Sequence, residues 1–154
     1  MKTKKISIVG LAGVGKTTLI RMLSDKQIPL EHNPTIALDF ENICFNDCKI
    51  SVWELGGQNQ FQFMWEDFIK GSSLIFVVSD STEQNVKETK KIVEHFKQCY
   101  PDIVVIANKQ DQDGALNPTK IKDVIGVETI GMVAIDKSKK RILLKLLEQK
   151  IGME

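Results

Sequence analysis

The sequence predicts an α/β fold: a six-stranded, mostly parallel sheet with one antiparallel edge strand and helices on both faces. Three observations carry that expectation. Leu74-Ile75-Phe76-Val77-Val78 and Ile103-Val104-Val105-Ile106-Ala107 are almost wholly apolar, as strands covered on both faces require. β-rich runs alternate with helically spaced ones along the chain, the order of parallel strands joined by crossover helices. The runs 38–45 and 48–54 are split only by Asn46-Asp47, which reads as a hairpin and makes one edge strand antiparallel.

Each element has its own signal. Ile6-Ser7-Ile8-Val9 is a short strand that ends in a glycine-containing turn, and a helix follows around Leu19, Ile20 and Leu23. Residues 24–37 contain Pro29 and Pro34 and show no period, so they read as a loop. Gly56-Gly57 breaks the chain after the hairpin, and 60–70, with Phe61, Met64, Trp65 and Phe68, reads as an irregular segment and a short helix. Ser81 stands three before Gln84, a capping box for a helix carrying Val86, Val93, Phe96 and Tyr100, with Pro101 as its stop. Asn117-Pro118 predicts an N-cap and first-turn proline, and Gly126 a helix end. Residues 129–134 read as a last strand and 139–151 as a terminal helix, with Leu143, Leu147 and Ile151 four apart.

Composition bounds the function. A chain of 154 residues without an internal repeat or linker predicts one domain over 1–154. Twenty-one Lys and Arg against 20 Asp and Glu leave a net charge of +1, which argues against a nucleic-acid binder. Cys44, Cys48 and Cys99 are an odd number and lack the second pair that a structural zinc site needs. They predict a reducing, cytoplasmic setting. Lys2 and the last four residues, Ile151-Gly152-Met153-Glu154, do not meet the myristoylation or prenylation patterns. The basic run from Lys137 to Lys150 reads as the solvated face of an amphipathic helix, so any membrane contact is expected to be peripheral. His32 and His95 read as surface residues.

Gly10-Leu11-Ala12-Gly13-Val14-Gly15-Lys16-Thr17 matches the phosphate-binding loop G-x-x-x-x-G-K-[ST] between a strand and a helix. Its glycines let backbone N–H groups turn inward around a β-phosphate, and the helix start adds free N–H groups and a positive dipole end. Lys16 brings a point charge to the β- and γ-phosphates. The Thr17 hydroxyl is a hard oxygen ligand for Mg²⁺, and Thr18 offers an N–H to the α-phosphate.

Asn108-Lys109-Gln110-Asp111 follows the second apolar strand. An Asp carboxylate accepts hydrogen bonds from both the N1–H and the exocyclic amine of guanine, a donor pair adenine lacks, so Asp111 is the base-selecting candidate. The Lys109 stem suits the ring face, and Asn108 suits a tie between loops.

With both motifs in place, the sequence resembles the small GTPases along essentially its whole length, and the Arf-like branch most closely. The resemblance implies a P-loop NTPase fold that binds GTP or GDP with Mg²⁺ and hydrolyses GTP. Pro34-Thr35-Ile36 looks like the Arf-type first switch, which implies that Thr35 closes over Mg²⁺ and the γ-phosphate. Trp53-Glu54-Leu55-Gly56-Gly57-Gln58 resembles the second switch, Trp-Asp-x-Gly-Gly-Gln. It implies that Gly57 offers its N–H to the γ-phosphate and that Gln58 orients the attacking water. It further implies a backbone N–H from Ala134, next to Ile135, to the guanine oxygen. Nucleotide-binding candidates are therefore Ala12, Gly13, Val14, Gly15, Lys16, Thr17, Thr18, Thr35, Gly57, Asn108, Lys109, Asp111, Ala134 and Ile135. Catalytic candidates are Gln58, Lys16 and Thr35, and metal candidates Thr17, Thr35 and, through a water, Glu54.

Three departures stand out. Glu54 replaces the family's Asp, Ala37 replaces the Gly after Pro-Thr-Ile, and Ala12 stands where Arf-like proteins usually have Asp. The resemblance also maps an effector patch onto Leu38, Trp53 and Phe68; the competing expectation is that these are core residues. Activating, exchange and effector proteins are the implied partners. The only arginines are Arg21 and Arg141, outside both switches, which predicts slow intrinsic hydrolysis, on the order of 10⁻⁴–10⁻³ per second. A second class remains open: a GTP-bound interaction module with little hydrolysis, owing to Glu54 and Ala12. A kinase or ATPase sharing the phosphate-binding loop is disfavoured by the Asn-Lys-x-Asp string.

Overall fold

A computed structural model describes residues 2–24, 38–45, 48–57, 62, 64–100 and 102–151. Six strands form one sheet: β1 (Lys2–Gly10), β2 (Leu38–Phe45), β3 (Cys48–Leu55), β4 (Leu74–Ser79), β5 (Ile103–Ala107) and β6 (Thr129–Gly131). Their order across the sheet is β2-β3-β1-β4-β5-β6, and all neighbours are parallel except β2 and β3. The chain leaves β1 toward one side of the sheet for the hairpin and crosses to the other side for β4. The carboxyl end of β1 is thus the topological switch point, where open α/β sheets bind ligands.

The apolar runs are apolar throughout because both faces of the sheet are covered. Ile6, Ile8, Phe76, Val78, Val104 and Ile106 face one side. There they meet α1 (Lys16–Leu23) and α5 (Lys140–Lys150) through Leu19, Ile20, Leu143 and Leu147. Val9, Ile75, Val77, Ile103 and Val105 face the other side. There they meet α2 (Trp65–Ile69), α3 (Glu83–Phe96) and α4 (Pro118–Ile125) through Trp65, Ile69, Val86, Val93, Ile121 and Ile125. Each fully buried Leu, Ile or Phe in these layers stabilises the fold by about 1.5–3 kcal/mol.

Three expected boundaries move, the first being the start of β1, which lies at Lys2 rather than Ile6. Ser81 is not an N-cap: it is buried with φ 69°, and Thr82 caps α3 instead, its hydroxyl accepting the Asn85 N–H at 3.2 Å. The last strand stops at Gly131, three residues early. The reason is competition for hydrogen bonds: Met132 accepts from Gln110 N–H at 3.1 Å, and Ala134 N–H goes to Asn108 at 2.9 Å. Asn117 caps α4 as expected, accepting the Lys120 N–H at 2.8 Å, and Gly126 ends it at φ 88°. The basic residues of α5 lie opposite Leu143, Leu146 and Leu147, which are buried. Cys44 and Cys99 are exposed. The expected turn at Asn46-Asp47, Pro101, Ala37 and His32 lie outside the described residues, as does the side chain of Cys48.

Candidate functional site

The glycine loop begins at the end of β1 and runs into α1. No side chain caps α1, and no acidic residue occupies its first turn, so its free N–H groups point into the loop. Gly15 holds φ 104°, and a Cβ there would stand 2.2 Å from Asn108 Nδ2. Glycine is thus required by conformation and by space.

Lys16 is 5% exposed and donates to the Leu11 carbonyl at 2.8 Å. Burial pulls its pKa down to about 8, against an opposing pull from the Glu54 carboxylate. A buried, weakly compensated ammonium in a loop of inward N–H groups favours a polyanion. The Thr17 hydroxyl donates to Glu54 Oε2 at 2.7 Å, and Glu54 is 1% exposed. Two hard oxygens at the mouth of the phosphate loop, one of them anionic, suit Mg²⁺, which binds through one or two carboxylates together with substrate phosphates.

Gly57 follows β3 and lies against the loop. A Cβ at Gly57 would come 2.3 Å from the Gly10 oxygen and 2.6 Å from the Ala12 nitrogen. The Trp65 indole N–H holds the neighbouring Gly56 carbonyl at 3.0 Å, and the Gln62 amide holds the Gly57 carbonyl at 3.0 Å. Trp65 therefore ties the Gly56-Gly57 segment to α2, a role its sequence position does not announce.

The Asn108-Lys109-Gln110-Asp111 string is tied to the glycine loop over a sequence separation of more than 90 residues. Asn108 Nδ2 donates to the Val14 carbonyl at 2.9 Å, and Lys109 Nζ to the Gly13 carbonyl at 2.7 Å. Asn108 Oδ1 accepts the Ala134 N–H at 2.9 Å, so the N–H that the resemblance assigns to guanine already has an acceptor here. A cavity of about 140 Å³ opens at this junction, lined by Gly15, Thr18, Asn108, Lys109, Asp111, Gln112, Val133, Ala134 and Ile135. Asp111 is exposed at its rim, and Ile135 is 64% exposed.

Another cavity, of about 550 Å³, lies between Leu11, α2 and α3 and holds none of the predicted site residues. At its edge His95, a surface residue as expected, meets Glu66 at 2.5 Å. Trp53 and Phe68, two of the three patch candidates, are both half-buried, with ring centroids 6.2 Å apart. Lys5 Nζ lies 4.4 Å from the Trp53 ring centroid and donates to the Phe68 and Lys70 carbonyls. These two rings thus belong partly to the core and partly to the surface. Thr35, Gln58 and the Leu38 side chain lie outside the described residues.

Comparison with known proteins identifies the family. The sequence model of the ADP-ribosylation factor family matches residues 1–149. ADP-ribosylation factor-like protein 9 of Homo sapiens is 32% identical over 135 residues, covering 84% of this chain and 71% of that protein. ADP-ribosylation factor-like protein 5 of Caenorhabditis elegans is 29% identical over 134 residues, 84% of this chain and 75% of the relative. ADP-ribosylation factor-like protein 1 of Saccharomyces cerevisiae is 31% identical over 125 residues, 78% and 68% respectively.

Proposed function

We propose how this site works from one premise: the chain belongs to the ADP-ribosylation factor family, and is a GTP-binding molecular switch and GTPase of the small-GTPase fold. Within that class the reading is specific. GTP and Mg²⁺ order the segments near 30–40 and 55–68, hydrolysis releases them, and partner proteins read the difference. The observation that carries it is the junction where Asn108 and Lys109 bind the carbonyls of Val14 and Gly13. One short span there joins a phosphate cradle to a cavity rimmed by Asp111.

Backbone N–H groups of residues 13–18 and the Lys16 ammonium hold the phosphates. Asp111 accepts from the guanine N1–H and amine, and Lys109 covers the ring. Thr17 and Glu54, with Thr35, are the residues that would hold Mg²⁺, which neutralises phosphate charge when bound. Gly57 offers its N–H to the γ-phosphate, and Gln58 accepts from and orients the attacking water. With no arginine in either switch, hydrolysis is slow, on the order of 10⁻⁴–10⁻³ per second, until an activating partner supplies one.

Single-turnover GTP hydrolysis at millimolar Mg²⁺, with the bound nucleotide identified before and after, tests this. Slow conversion of bound GTP to GDP is expected; tight GTP binding with no conversion at all would count against it. Gln58→Leu should leave GTP affinity intact and slow conversion by at least ~10-fold, since the water loses its orienting group. An unchanged rate would remove Gln58 from that role.

Glu54 carries a further expectation. Its extra methylene brings the carboxylate to the Thr17 hydroxyl directly. Shortening it should restore room for a bridging water. Glu54→Asp is therefore expected to slow Mg²⁺-dependent GDP release by a few-fold, with release in excess chelator unchanged. Equal release from both proteins in Mg²⁺ would make Glu54 a harmless variant.

A further inference from the structure

We propose that Ser81 and Gln110 are positioning residues for base recognition: they line no part of the nucleotide cavity, yet they set the loop 108–111 that does. The inference rests on reading that loop as the base-recognition element.

Among the described residues, only Ser81 and Lys109 carry a side chain in the left-handed region, at φ 69° and 62°. Such backbone is strained and persists only where its surroundings hold it. Here a hydroxyl holds it. Ser81 is fully buried; its Oγ donates to the Asn108 carbonyl at 2.7 Å and accepts the Gln110 side-chain amide at 2.7 Å. The same Gln110 nitrogen donates to the Leu116 carbonyl at 2.9 Å, and Leu116 returns its N–H to the Ser81 carbonyl at 2.9 Å. Beneath them the Asn108 N–H meets the Ser79 carbonyl at 2.8 Å, and the Ser79 hydroxyl donates to Asn85 Oδ1 at 3.0 Å.

The ends of β4 and β5 are therefore stitched by directional polar contacts rather than by apolar packing. The Asn108 carbonyl shares a peptide plane with the Lys109 N–H. Fixing that carbonyl fixes the plane from which Lys109 turns left-handed and Asp111 is aimed. Without the Ser81 hydroxyl, the buried Asn108 carbonyl loses this donor and the half-buried Gln110 amide keeps only the Leu116 carbonyl, so the loop is no longer held where it stands.

The experiment compares GDP and IDP release from the Mg²⁺-loaded full chain in the wild type, Ser81→Ala, Ser81→Gly, Gln110→Met and the Ser81→Ala/Gln110→Met double variant. Asp111→Asn serves as reference. IDP lacks the exocyclic amine, so the GDP-to-IDP ratio reports the second Asp111 hydrogen bond. Each single variant should speed GDP release about 10-fold and narrow the ratio, and the double variant should fall short of the product of the two. Ser81→Gly separates hydroxyl from backbone, because it relieves the left-handed strain while deleting the hydroxyl. Behaviour like Ser81→Ala supports the hydroxyl's role, and wild-type release overturns it. A lowered melting temperature with an unchanged ratio would also overturn the proposal, leaving a merely structural network. Should Ser81→Ala fail to fold, the half-buried Gln110→Met decides on the same readouts. Unchanged release in these variants, with faster release in Asp111→Asn, sinks this proposal alone. Unchanged release in Asp111→Asn sinks the base-recognition reading itself.

Discussion

Asp111→Asn loses GTP affinity by about 100-fold and gains affinity for xanthosine triphosphate. The carboxylate is an acceptor on both oxygens and so matches two guanine donors. An asparagine keeps one acceptor for the N1–H but turns a donor toward the guanine amine. One charge-assisted bond is lost and two donors face each other without an acceptor, about 3 kcal/mol, which is about 100-fold in affinity. Xanthine carries a carbonyl where guanine carries the amine, and the asparagine N–H then has its acceptor. Asp111 is exposed and lines the cavity together with Lys109, which leaves its carboxylate open to an entering ring. Competition of GTP, XTP and ATP for the two proteins measures it. Guanine preference surviving the substitution would move base selection to another residue.

Lys16→Met abolishes tight binding of GTP and GDP, lowering affinity by at least ~100-fold, because contacts between the ammonium and two phosphates are lost together. Methionine is apolar and of similar length, so the buried stem still fills its place, and the fold should survive the change. A circular-dichroism melt of the nucleotide-free proteins separates lost binding from lost structure.

The same lysine makes binding pH-dependent, and the sign follows from its environment. Burial lowers its pKa from 10.5 to about 8. Between those values the unfolded chain binds more protons than the folded one, so the nucleotide-free fold gains stability as pH rises through that window. Phosphate favours the charged form, so nucleotide binding must draw a proton in. Uptake is expected to be largest above pH 8, to shrink as pH falls toward 7, and to vanish in Lys16→Met. Calorimetric titration in buffers of different ionisation heat reads it directly. An identical heat in every buffer at pH 8.5 would mean that Lys16 is already fully charged before the nucleotide arrives.

How much of this the sequence alone makes legible depends on the range of the interaction. The phosphate loop was legible because a short segment carries its own instructions: glycine where φ is positive, lysine at the turn, and a helix start with no competing cap. The apolar strands were legible because burial on both faces leaves no polar position to confuse the pattern. The Ser81 position was misread for the opposite reason. A Ser three before a Gln satisfies the local rule for a cap, but the buried Asn108 carbonyl and the half-buried Gln110 amide from the next strand end take the same hydroxyl. Likewise, residues 132–134 read as strand because they are apolar; Met132 N–H still reaches the Ala107 carbonyl of β5, but the Met132 carbonyl and the Ala134 N–H turn to Gln110 and Asn108.

By itself, then, the sequence determined the class of fold, the glycine loop between β1 and α1 and the place of Asp111 just after β5, since each rests on a pattern within a short segment. Only the tertiary structure decided that Asn108 and Lys109 clasp Val14 and Gly13, that Trp65 holds Gly56, that Glu54 reaches Thr17, and that Ser81 holds the Asn108 carbonyl. These are single hydrogen bonds between residues 9 to 96 positions apart. Linear spacing carries no trace of them, because their partners meet only once the sheet has ordered its strands.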